Sequence, residues 1–317
     1  MTSTSSVPPL IDRTQYLGGS DAAAVVGLDP YRSPYRVWIE KTGQVAPSAD
    51  PPSEAAYWGQ RLEDLVAQEF SRQSGKQVRR SGKILRHPRH AFLAGHLDRL
   101  IVGDGPGVFL ECKTAGVRQA DQWAEGQIPD AYVLQIHHYL ALTGAPHAYV
   151  AVLIGGQEFR WMRVDRDETL ITWLVEREVE FWTRYVEPRV PPPVDPHPDT
   201  WDAIRRRWPV AQPGRRCDLS GSVEVIRAAL AARAQRDLAE AAYQQALAAV
   251  QALVGEAEDV YLLGERIASW KTVTRRTVDW DALRRDYPDV VAQYERPTPT
   301  RVWRWASGVP KEVRVHG

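Results

Sequence analysis

The sequence predicts an α/β protein in two parts: a mixed helix-and-strand core over residues 1–190, and an extension over 191–317 built from a long helix and a β-hairpin. Three observations carry this. Upstream of residue 186, stretches with apolar residues at helical spacing alternate with short strand-like runs. The stretch VEPRVPPPVDPHP, Val186 to Pro198, reads as an extended connector, because each proline removes a backbone donor and disfavours helix. Beyond it, residues 221–254 are alanine-rich, with Val223, Ile226, Leu230, Leu238, Leu247 and Val250 along one side. That pattern predicts one long helix packed against a partner helix.

Taken in order, residues 20–28 and 34–42 read as short helices on either side of the turn LDPYRSP. Residues 54–73 form a longer helix, with Trp58, Leu62, Leu65, Val66 and Phe70 on one stripe. Strand-like runs follow around 83–86, 92–102 and 107–114, then a helix from about 130 to 143. AYVAVLIGG and a segment near 158–164 read as strands, and ETLITWLVEREVEFWTRYV as an amphipathic helix. In the extension, VYLLGERIASWKTVTRRTVDW has hairpin character and RVWRWA reads as a final strand. No internal repeat is visible.

Composition narrows the function classes. Of 317 residues, 44% are hydrophobic and 25% charged, so the chain can bury a core. No apolar run approaches the roughly 20 residues of a membrane span, and the opening MTSTSSVPPL lacks the layout of a signal peptide. The two cysteines, Cys112 and Cys217, allow neither a disulfide scaffold nor a four-cysteine metal or iron–sulfur site. A reducing cytoplasm is the expected compartment. Net charge is zero, yet it is unevenly spread. Between Phe70 and Leu97 no acidic residue occurs, while Arg72, Lys76, Arg79, Arg80, Lys83, Arg86 and Arg89 all fall there. Such a stretch suits a phosphate backbone, and equally a solvated charged face.

The chemistry-bearing pattern is GVFLECKTAG. Alternation on a strand turns Glu111 and Lys113 to one face and Leu110 and Cys112 to the other. The run FLAGHLDRLIV, joined to it by the turn GDGPG, can pair as a hairpin and bring Asp98 beside Glu111. Two hard carboxylates at a strand end suit Mg²⁺ or Mn²⁺, and a neighbouring lysine can orient water or contact a phosphate. The same spacing also fits a solvated surface ion pair. Glu63, in YWGQRLEDLV, offers a third carboxylate beside its helix's apolar stripe, with Gly59 one turn earlier on the same side; it also fits an ordinary exposed helix glutamate. In GGSDAAAVVG, Ser20 and Asp21 open a helix, an arrangement that serves as a cap or as an anion site.

With YLGGSDAAAVVGLDPYRSPYRVWIEKTG, YWGQRLEDLVAQEF, AGHLDRLI, FLECKTA and QIPDAYVLQIHHYLALTG in this order, residues 13–165 resemble the YqaJ-like viral recombinase nucleases. These are relatives of the phage lambda exonuclease, within the restriction-endonuclease-like superfamily of D…(D/E)-x-K nucleases. The resemblance implies a central mixed sheet with helices on both sides and a metal site at one sheet edge. It implies Mg²⁺-dependent (or Mn²⁺-dependent) hydrolysis of duplex DNA ends, usually 5′ to 3′, in phage-type recombination. By position it makes Asp98, Glu111 and the Cys112 backbone carbonyl metal ligands, places Glu63 near a second metal or its waters, and makes Lys113 the catalytic lysine. Gln135 matches the glutamine that positions the site, and Arg13 with Ser20 would hold a 5′-terminal phosphate. His138, one turn beyond Gln135's neighbourhood, is read as a packed helix histidine. A single-strand annealing protein is the implied partner and a trimeric ring the implied assembly. Two other readings stay open: an endonuclease of the same superfamily, and a DNA-end-binding module that has lost catalysis.

Overall fold

The computed structural model describes residues 12–45, 53–298 and 300–306, which form two compact units, one up to Trp208 and one from Pro209. The first unit opens with two short helices, α1 (Gly19–Val25) and α2 (Pro34–Lys41). Ser33 caps α2, its hydroxyl accepting from the Arg36 amide at 3.1 Å, and Pro34 takes the first turn, where no donor is needed. The long helix α3 (Glu54–Ser74) is capped by Ser53 and stopped by Gly75, whose φ of 71° suits a residue without Cβ. Val66, Ala67 and Phe70 are its buried side.

Nine strands follow among the described residues, seven of them in this unit: β1 (Gln77–Arg80), β2 (Leu85–Arg86), β3 (Ala94–Gly95), β4 (Arg99–Val102), β5 (Phe109–Ala115), β6 (His147–Ile154) and β7 (Glu158–Asp165). The helix α4 (Asp130–Thr143) links β5 to β6. The helix α5 (Glu168–Phe181) runs on through a wider turn over Trp182–Val186, and α6 (Pro198–Arg207) ends the unit. The main sheet is mixed, in the order β1-β4-β5-β6-β7; β5 and β6 pair in parallel and every other neighbour is antiparallel. β2 and β3 form a separate small pair.

Helices cover both faces, which is the mixed-sheet architecture expected. Phe109, Glu111 and Lys113 share the face toward α4, where Phe109 meets Tyr139 edge-on with ring centroids 5.9 Å apart. On the opposite face Phe70 of α3 packs against Tyr149 and Trp161, each at 5.5 Å. β6 is buried along almost its whole length, which explains its continuous apolar sequence.

Three differences from the sequence reading have physical reasons. β1 escaped notice because QVRR lies at the sheet edge and only Val78 is half-buried, so it carries no apolar run. The run 92–102 is not one strand: Ala94–Gly95 pairs with β2, and the chain then leaves that pair to enter the main sheet at Arg99. The first unit also extends beyond the proline-rich connector at which the boundary was placed. Asp199 of α6 accepts from the Arg36 guanidinium at 2.7 Å and from the Ser33 amide at 3.0 Å, and Asp202 pairs with Arg36 at 2.6 Å. These bonds bind α6 to α2, and the RRRW cluster is the last turn and end of that helix.

The second unit contains α7 (Val223–Val254), the hairpin of β8 (Asp259–Leu262) and β9 (Glu265–Ser269), α8 (Trp280–Asp286) and α9 (Pro288–Tyr294). The single long helix is as the alanine-rich pattern predicts. No residue of α7 is buried, so no partner helix covers it among the described residues. The hairpin is shorter than expected and turns at Leu263 and Gly264, both with positive φ (52° and 87°). RVWRWA forms no strand among the described residues. No helix among the described residues is long and apolar enough to cross a membrane.

Candidate active site

The register of β4 on β5, with Arg99 opposite Leu110, sets Asp98 next to Glu111 at the point where the two strands meet. Asp98 Oδ2 accepts a hydrogen bond from the Cys112 amide at 2.8 Å. Glu111 is 3% exposed. Its Oε1 accepts from Lys113 Nζ at 2.9 Å and from Gln135 Nε2 at 2.6 Å, and Lys113 also donates to Gln135 Oε1 at 2.9 Å. The three side chains thus form a closed triangle of hydrogen bonds. Its other oxygen, Glu111 Oε2, is buried without a hydrogen-bond partner. A buried carboxylate oxygen left bare is costly, so such an atom marks a place where a cation or proton belongs. The Lys113 ammonium also stands 4.6 Å from the Tyr132 ring centre.

The electrostatics follow from crowding acids in a dry place. Burial, and next the Glu111 charge, push the Asp98 carboxyl up to about 8. Burial and the same two carboxylates push the Cys112 thiol far up, so it is an inert thiol at neutral pH. For Lys113 burial works downward, but the Glu111 carboxylate outweighs it and the ammonium titrates above the ordinary lysine value.

The sequence-derived residues therefore fall into three groups. Asp98, Glu111, Lys113, Gln135 and the Cys112 amide are brought together. Glu63 lies near enough for its charge to raise Asp98, yet its carboxylate is paired with the Arg99 guanidinium, which also bonds Asp64. Arg13 and Ser20 form their own site: Arg13 Nη2 donates to Ser20 Oγ at 3.0 Å in a cleft shared with Arg32 and Lys41. Asp21 lies beneath, 1% exposed, paired with Lys41 at 2.7 Å and with Arg32 at 2.9 Å. Burial would raise its carboxyl, but those two cations hold it well below the usual range. His138 is a packed histidine, its Nδ1 2.7 Å from Glu178 and its Nε2 3.3 Å from the Ala94 carbonyl. The basic stretch is partly neutralised by acids from elsewhere: Arg72 pairs with Glu69, Lys76 with Asp104 and Arg80 with Asp64.

Sequence reasoning missed two residues. Tyr139 follows Gln135 by one helical turn, and its ring fills the space between Gly19 and Gly95; a Cβ on either glycine would come within 2.6 Å of it. Its hydroxyl bonds Gln135 and feels Glu111, Asp98 and Arg13, so it stands between the carboxylates and the Arg13–Ser20 cleft. The signal was a pair of glycines facing a tyrosine, which only the tertiary structure connects. Arg99 is the other. At 4% exposure in the strand RLIV its guanidinium needs partners, and its place inside an apolar run was the one signal the sequence offered.

Comparison with known proteins adds the following. A family model described as the YqaJ-like viral recombinase domain matches residues 10–146. The chain is 35% identical over 295 residues to an uncharacterized protein YqaJ of Bacillus subtilis (strain 168), covering 92% of this chain and 91% of that one. Among solved structures, an alkaline exonuclease from Laribacter hongkongensis is 18% identical with a TM-score of 0.46, covering 56% of this chain and 91% of that one. A phage related exonuclease from Haemophilus somnus 129PT is 14% identical with a TM-score of 0.43, covering 55% and 95%.

Proposed function

The chain belongs to the YqaJ-like viral recombinase family, and from that premise we propose that it is a Mg²⁺- or Mn²⁺-dependent deoxyribonuclease that trims one strand of a duplex from its end. The observation that carries this is the bare Glu111 Oε2, buried beside Asp98 and within the triangle that holds Lys113. The donor set fits a hard divalent cation: carboxylate and carbonyl oxygens, no available thiolate, and one more carboxylate than ammonium. Asp98, Glu111 and the Cys112 carbonyl would hold the ion. When bound, it would supply polarisation of the scissile phosphate and a lowered pKa for the attacking water.

The chain's own groups do the rest. Lys113, held charged by Glu111, cannot serve as a base at neutral pH; it donates hydrogen bonds to a phosphate oxygen or to the attacking water. Gln135 fixes both Glu111 and Lys113, so neither can swing out when a charged strand approaches. Arg13 and Ser20 would receive a 5′-terminal phosphate, Arg13 as a fork-shaped donor and Ser20 through its hydroxyl, which gives 5′-to-3′ polarity. Arg79, Lys83 and Arg89, which have no carboxylate partner among the described residues, would follow the backbone. The role is in phage-type recombination inside the cytoplasm, leaving a 3′ overhang for an annealing protein, with a ring of copies as the processive form.

A linear duplex labelled separately at each 5′ and 3′ end, digested with Mg²⁺ and with EDTA, tests this. Mononucleotide release from the 5′ label alone is expected, abolished by EDTA and by Asp98→Ala or Glu111→Ala. Cutting of a covalently closed circle at the same rate would make it an endonuclease. Binding of ends with no release under any metal would make it an end-binding module.

A further inference from the structure

The family resemblance puts Glu63 near a second divalent ion, yet a guanidinium already pairs with it. Arg99 Nη1 donates to Glu63 Oε1 and, at 2.5 Å, to the backbone carbonyl of Asp98, while Nη2 pairs with Asp64. Asp64 is shared with Arg80. Two carboxylates of α3 therefore face two guanidinium groups, and no negative charge is left over on that side. The other side differs. Asp98 and Glu111 face Lys113 alone, and Glu111 Oε2 has no partner. Hard divalent cations go where carboxylates are in excess. Arginine is the cation least easily displaced from a carboxylate, because it is always charged, planar and able to bond two oxygens at once. Among the described residues, no three His, Cys, Asp or Glu side chains stand at metal-ligating spacing.

We propose that Arg99 closes Glu63 to metal, so that the site takes a single divalent cation on Asp98 and Glu111. Glu63 is then an anchor for Arg99, which braces the carbonyl of Asp98 directly beside the ion. Arg99 is a positioning residue and supplies a fixed positive charge where a second ion would otherwise sit. The inference rests on the metal-dependent reading above and goes beyond it in fixing the number of ions and the role of Glu63.

The test is calorimetric titration of Mn²⁺ into the full chain, alone and with a duplex carrying phosphorothioate ends. One Mn²⁺ per chain is expected in both cases. Glu63→Gln keeps that stoichiometry and weakens affinity by no more than the loss of a supporting contact brings, whereas Arg99→Gln frees Glu63 and raises the count to two. Two ions per wild-type chain, falling to one in Glu63→Gln, would overturn the inference while leaving the nuclease reading intact. An affinity loss of more than about a hundredfold in Glu63→Gln, beyond what losing a supporting contact costs, would overturn it too. No bound Mn²⁺ at all would sink the metal-dependent reading itself. Should Arg99→Gln fail to fold, Glu63→Gln decides alone.

Discussion

Asp98 should destabilise the metal-free protein, and its removal should stabilise it. Its carboxyl has an ordinary value of 3.8 and is pushed up to about 8 by burial and by Glu111. A raised carboxylate means that the folded state keeps a proton which the unfolded chain has released. Stability is therefore full below about pH 4 and falls as pH climbs toward about 8, by up to about 1.4 kcal/mol per pH unit. Between about pH 5.5 and about pH 7.5 the ceiling is about 2.7 kcal/mol; water entry and relaxation around the pair bring the expectation to about 1–2 kcal/mol. The perturbation is Asp98→Asn, which retains an acceptor for the Cys112 amide and cannot ionise. Urea unfolding in EDTA at the two pH values gives the difference between wild type and variant, which cancels every other titrating group. The variant should gain on the wild type as pH rises. Saturating Mn²⁺ should reverse the ranking, since a ligand stabilises only the chain that binds it. Parallel stability curves for the two proteins in EDTA would refute the electrostatic account of the site.

Lys113→Ala should lower kcat by about 10²–10³-fold, as for the loss of a donor aimed at developing charge, while Mn²⁺ affinity stays; an unchanged rate would remove it from the reaction. Arg13→Ala should erase a preference for 5′-phosphate over 5′-hydroxyl ends without slowing hydrolysis of an end already lacking phosphate. Gly95→Ala would drive a Cβ to 2.6 Å from the buried Tyr139 ring and should cost about 1–3 kcal/mol in urea unfolding; an unchanged midpoint would show that Tyr139 is not wedged between the two glycines.

Much of the site was legible because strand alternation is a strong constraint. Once FLECKTA is a strand, Glu111 and Lys113 must share a face, and the GDGPG turn leaves Asp98 little choice but to stand beside them. The Gln135 position came only through family resemblance, since nothing local says that an α4 side chain reaches a particular strand face. Arg99 and Tyr139 were not singled out because their roles are relations between distant segments. Tyr139 matters through Gly19 and Gly95, which are far from it in sequence. Edge strand β1 was missed because polar residues dominate it, and α6 was assigned to the extension because its anchor is a pair of acids that find Arg36 only in the folded chain.

The parallel pairing of β5 with β6 has an implication for synthesis. Two parallel neighbours cannot be joined by a tight turn, so α4 must be laid across the sheet before β6 can dock. A nascent polypeptide that has emerged as far as Thr143 already holds Asp98, Glu111, Lys113 and Gln135, yet the strand bearing Glu111 still has an open edge along its length. His147–Ile154 then closes that edge and pins the crossover. On the nuclease reading proposed above, a translation product stalled within the crossover would lack the strand that closes this edge.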